Sequence, residues 1–220
     1  MKLVGFGCSF TYGSELVDPE IGTEFHHENT RYRESNVWLG QLAKLLDATW
    51  DNRAEPSNSN YAIQYQFTDW FNNSRDSREQ VVVCVGWTSL DRMSWLGDKW
   101  YHNGFIGTGT EPMYKQSHRD WIINGTDKTK ALHTETAKLF VNSVCKLHDI
   151  PILQFNVLGV HKPAHYDNYF LDGLTVQSVL KDAQRSDDRL NLFASGGHPN
   201  EAGHEYFTIR LHDFAKERII

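Results

Sequence analysis

The run Val81-Val82-Val83-Cys84-Val85 limits the fold more than any other stretch of this chain. It is apolar at every position and offers no polar face to water. A strand of this kind is covered on both sides, which is the situation of a parallel sheet between layers of helix. Leu3 to Phe6 and Pro151 to Leu158 read the same way, with weaker strands at Ala48 to Trp50 and Leu190 to Phe193. Helical spacing fills the intervals. Ser35 reads as an N-cap, followed by Trp38, Leu42, Leu45 and Leu46. Ile63, Phe67, Trp70 and Phe71 mark a second helix. Asp127 to His148 is a long helix with Phe140, Val144 and Leu147 on one face, and Val176 to Ala183 is a shorter one. Asn200 to Ile219 closes the chain, with Phe207, Leu211 and Phe214 turned inward. Strands alternating with helices predict an α/β layer structure. One domain over residues 1–220 is expected, carrying aperiodic insertions at about 11–34 and 94–126.

Composition removes several function classes. The net charge is 22 − 28 = −6, with no basic patch to follow a nucleic acid. No apolar run approaches the ~18 residues that span a bilayer, and the run that leads into Gly5 is only Leu3-Val4. No membrane or nucleic-acid partner is therefore expected, and a cytoplasmic location is. Cys8, Cys84 and Cys145 are an odd set without metal-type spacing, as in a reducing compartment. No cofactor or metal is expected; the pairs His26–His27 and His161/His165 lack companion ligands for zinc.

In parallel sheets the chemistry lies beyond the carboxyl ends of the strands. After the first strand comes Gly5-Phe6-Gly7-Cys8-Ser9-Phe10-Thr11, a small-residue turn that raises Ser9. After the second comes the polar segment Asn52 to Asn60. After the third comes Gly86-Trp87-Thr88-Ser89-Leu90-Asp91-Arg92. Before the last helix comes Ser195-Gly196-Gly197-His198-Pro199-Asn200. Taken alone, Ser9 reads as an anion contact or a turn residue, and His198-Pro199 as a helix entry. His204 reads as a packing residue of the last helix, and Cys8 as facing into the sheet.

These four segments, in this order, resemble the SGNH/GDSL hydrolases across nearly the whole chain. Gly7-Cys8-Ser9 matches the nucleophile block, with Cys8 where the family usually has Asp. Ser57 stands at the glycine of the second block. Gly86 is kept in the third, while Thr88 and Ser89 stand for its Asn and Asp. His198-Pro199 is kept in the last block, and Ser195 replaces its Asp. The Thr-Ser-x-Asp-Arg form and the long insertion after the nucleophile look like a subgroup common among tailed phages, for which a virion or host-cell location follows.

The resemblance implies a three-layer α/β/α, flavodoxin-like parallel sheet of about five strands and a serine esterase. Ser9 is then the nucleophile and His198 its base. The backbone N–H groups of Ser9 and Ser57 and the Thr88 hydroxyl are the oxyanion donors. With the aspartate missing, the imidazole is expected to meet a neutral group such as Ser195, a backbone carbonyl, or a carboxylate from elsewhere such as Asp91 or Asp188. A neutral partner is the preferred expectation, giving a Ser–His dyad. The substrate is expected to be an ester of a small molecule or saccharide, O-acetylated carbohydrate included. Trp87, Trp95, Trp100 and Trp121 are candidates to stack on it. The rival expectation is a retained fold that binds without turnover, as in a phage particle component. Oligomeric state is left open.

Overall fold

A computed structural model describes residues 1–24, 26–74, 80–96, 100–103, 120, 125–159, 168–171 and 173–219. Five parallel strands form the central sheet. They are β1 (Lys2–Phe6), β2 (Thr49–Asn52), β3 (Val81–Trp87), β6 (Ile152–Asn156) and β7 (Tyr169–Phe170). Their order is β2-β1-β3-β6-β7, which is the doubly wound arrangement with a switch between β1 and β3. A separate antiparallel pair, β4 (Met93–Leu96) and β5 (Trp100–Asn103), follows β3. All of it but Met93 lies inside the span expected to be aperiodic.

Two apolar layers cover the sheet. On one face Leu3, Cys84, Leu153 and Phe155 pack against Trp38, Leu39 and Leu42 of α3 (Trp38–Leu45). Val176 and Leu180 of α6 (Val176–Ser186) join this layer, as do Phe207 and Leu211 of α7 (Glu201–Arg218). On the other face Val4, Phe6, Val83 and Val85 meet Ile63, Phe67 and Trp70 of α4 (Asn60–Asn73). Ala137, Val141 and Cys145 of α5 (Asp127–Leu147) complete it. The alternation of Val82 and Cys84 with Val81, Val83 and Val85 between the two layers is the period of two of a strand.

Several expectations fail for physical reasons. Ser35 caps nothing: α2 (Asn29–Asn36) runs through it, and α3 starts behind Val37 without a side-chain cap. Phe140 and Leu147 are exposed, and α5 instead buries Thr134, Ala137, Lys138, Val141 and Cys145. Lys138 is wholly buried, with Nζ 3.3 Å from Glu135 Oε1 and over the Tyr169 ring. A stripe containing a lysine and threonines does not announce itself by hydropathy. Leu190 to Phe193 makes one isolated bridge to Pro199 rather than a strand. The fifth strand is the two-residue β7. No helix among the described residues is long and apolar enough to cross a membrane.

Candidate active site

The first turn beyond β1 is the short helix α1 (Ser9–Tyr12). It needs room. A Cβ on Gly7 would lie 2.3 Å from Thr11 Oγ1, so only glycine lets the helix fold back so tightly on the strand. Ser9 is 5% exposed, and its Oγ has no hydrogen-bond partner among the described residues. Cys8 is fully buried in the apolar layer beneath. Arg33 of α2 lies 3.5 Å over the Tyr12 ring and braces the turn from outside.

His198 stands beside this turn. The ring of Phe10, the residue after Ser9, packs edge-on against its imidazole at 5.5 Å. Ser9 and His198 are not hydrogen-bonded to each other, since Ser9 Oγ is without a partner among the described residues. Such bonds are often long before substrate is bound.

The expectation of a neutral group behind the imidazole is overturned. His198 Nδ1 lies 2.7 Å from Glu15 Oε2. The same carboxylate accepts the backbone N–H of Gly196 at 2.6 Å and that of His198 at 3.1 Å. Ser195, aligned with the family's aspartate, is exposed on the turn, and Asp91 is paired with Lys130. Burial pushes the Glu15 carboxyl up, but its hydrogen bonds from the His198 ring, from the His198 and Gly196 backbones, and the imidazole charge outweigh this and hold it below the ordinary glutamate value. It is therefore an ionised acceptor. Facing an ionised carboxylate, Nδ1 is the donor of this contact, and in the neutral imidazole that arrangement leaves Nε2 with the lone pair.

Nothing in the sequence pattern singled out Glu15, because its position depends on backbone shape. Its φ of 68° is left-handed, a conformation costing about 1–2 kcal/mol for a residue with a Cβ. A faint signal was available on the other side. A Cβ on Gly196 would lie 2.6 Å from Glu15 Oε1, so the glycine before His198 marks a close approach.

The loop after β2 and the N-terminus of α4 hold the remaining parts. Ser57 has φ 66°, the left-handed region that favours glycine, at the place where the resemblance puts one. Asn58 Nδ2 donates to Gly7 O at 2.9 Å and ties this loop to the Ser9 turn. Asn60 clasps Thr88 at two points: its Oδ1 accepts the Thr88 N–H at 2.8 Å and its Nδ2 donates to Thr88 O at 3.1 Å. Thr88 is fully buried at the end of β3. Asn58 and Asn60, which make these ties, lie in the stretch that the sequence pattern marks only as a polar turn.

Trp87 does not face a ligand. It is fully buried in the second apolar layer, and its Nε1 donates to Gln154 Oε1 at 3.1 Å. The side chains of Trp95 and Trp100, and Trp121 entirely, lie outside the described residues. His204 is a buried neutral packing residue. Its Nδ1 accepts the Trp38 N–H at 3.4 Å, and burial, aided by the charge of His198, pushes its pKa down to about 3. No cluster of metal-ligating side chains occurs among the described residues.

No protein-family model matches the chain, and comparison with curated proteins finds no match. Solved structures do resemble it. The psychrotrophic esterase EstA from Pseudoalteromonas sp. superimposes with a TM-score of 0.52 at 8% identity, covering 98% of this chain and 97% of the other. A carbohydrate esterase whose active site displays divergent catalytic and non-catalytic binding functions gives 0.51 at 12% identity. That likeness covers 98% of this chain and 64% of the esterase. A member of the lipolytic G-D-S-L family from Veillonella parvula DSM 2008 gives 0.46 at 13% identity, covering 99% and 97%. At these identities the likeness is one of fold alone, and the fold is the one shared with the first two esterases.

Proposed function

We propose that the chain is a serine carboxyl-ester hydrolase working through Ser9, His198 and Glu15. The observation that carries this reading is the 2.7 Å contact between His198 Nδ1 and the Glu15 carboxylate, beside the Ser9 turn. Glu15 fixes the tautomer that leaves Nε2 basic. His198 takes the Ser9 proton as Oγ attacks the ester carbonyl. The imidazolium so formed is stabilised by Glu15, much as the buried acid of a serine protease stabilises its histidine. The oxyanion is received by the N–H groups of Ser9 and Ser57 and by the Thr88 hydroxyl. His198 then protonates the leaving alcohol. Water, deprotonated by the same Nε2, releases the acid from Ser9.

A second reading is supported by the unbonded Ser9 Oγ: the constellation binds esters without cleaving them. Hydrolysis of para-nitrophenyl acetate separates the two. Turnover that disappears in Ser9→Ala supports the hydrolase. A folded wild-type chain with no more turnover than Ser9→Ala supports the binding module.

A further inference from the structure

Beyond β3 lies a cavity of about 380 Å³ that the ester chemistry does not use. This is within the size range of small-ligand sites. Asn60, whose amide clasps Thr88, is one of its walls, so cavity and oxyanion segment share a residue. Leu90 and Met93 give it an apolar side, and Arg92, Ser94 and Lys130 a polar one.

Arg92 is the unusual member. It is 9% exposed, its Nη1 has no hydrogen-bond partner, and no carboxylate pairs with it among the described residues. Lys130, also buried, is matched by Asp91 at 2.7 Å. That leaves the guanidinium as a buried cation without a counter-charge among the described residues. Such a charge is costly unless something pairs with it. A guanidinium presents a planar fork suited to two oxygens of one anion.

We propose that this cavity receives an anionic group of the substrate, a carboxylate or a phosphate, through Arg92. The proposal rests on the ester-hydrolase reading and narrows its substrates to acid-bearing esters. An anion seated on Arg92 would lie against the Asn60 wall, on the side of the site where Thr88 is held.

Calorimetric titration of the intact chain with benzoate, phenyl phosphate and benzamide tests this without turnover. Benzoate or phenyl phosphate is expected to bind at least about tenfold more tightly than neutral benzamide, and the tighter anion identifies the group. Arg92→Met is expected to abolish the selectivity, and Arg92→Lys to reduce it several-fold by losing the fork. Equal binding of benzamide and both anions by the wild-type chain overturns the proposal, whatever the variants do. So does unchanged selectivity in a cooperatively melting Arg92→Met. The two readings fail separately. Anion selectivity without hydrolysis of 4-acetoxybenzoate keeps the pocket and overturns the hydrolase. Hydrolysis of 4-acetoxybenzoate and 4-acetoxybenzamide with equal KM, and no anion binding, does the reverse.

Discussion

Glu15 and His198 stand 183 residues apart in sequence, and the carboxylate of one meets the imidazole of the other at 2.7 Å. The carboxylate comes from the loop that follows Ser9 rather than from the turn that carries the histidine. Glu15→Gln keeps the size of the side chain and removes its charge. A comparable acid-to-amide change in a serine protease lowers kcat by about 10⁴. A loss of about 10²–10⁴ in kcat, with KM little changed, is expected here for para-nitrophenyl acetate. Unchanged kcat would remove Glu15 from the mechanism.

The same pair sets a pH dependence of stability. The folded-state pKa of Glu15 is depressed, so the unfolded chain holds the proton more tightly. The stabilisation is present above the ordinary glutamate value and is lost as pH falls through the depressed one. Melting temperatures of wild type and Glu15→Gln are expected to differ near neutrality and to converge in acid. A constant gap across that range contradicts the ionised pair.

Gly196→Ala tests the approach of the two loops. The new methyl would lie 2.6 Å from the Glu15 carboxylate and would displace it from the turn. The expected result is a fall in kcat similar to that of Glu15→Gln, with little added loss in the double variant. Fully additive losses would mean that Gly196 acts through something other than Glu15.

Ser195→Asp restores the acid at the family's position, yet no gain in kcat is expected. The single Nδ1 proton of His198 is already engaged by Glu15, and Ser195 is exposed. A rise in kcat would show that the imidazole prefers the other side of the turn.

Asn60→Asp keeps an acceptor for the Thr88 N–H but loses the donor to Thr88 O and to Thr134 Oγ1. Leaving such buried groups unpaired costs about 1–3 kcal/mol. A lowered melting temperature together with reduced kcat is expected. Wild-type behaviour would separate Thr88 from the clasp.

The strands and most helices were legible because burial on both faces and a 3.6-residue stripe leave marks in the order of apolar residues. Val81 to Val85 and the Phe207–Leu211 stripe are such marks. The α5 face was misread because its inward stripe contains Thr134 and Lys138, whose burial depends on partners that a linear pattern does not hold. Within the site, Ser9 and His198 stood out as types in a spaced motif. Glu15 did not, because an aperiodic loop and a left-handed backbone place it. Asn58 and Asn60 were hidden for a related reason: their roles are hydrogen bonds to backbone groups of other loops.

A serine driven by His198 and Glu15 is open to covalent trapping at its Oγ. An ethyl phosphonate ester with a nitrophenol leaving group, followed by mass spectrometry of the digested chain, tests it most directly. One phosphonyl group is expected on Ser9, formed much more slowly in His198→Ala and Glu15→Gln. No adduct on Ser9 in the folded wild-type chain, or an equal rate in all three proteins, would contradict it.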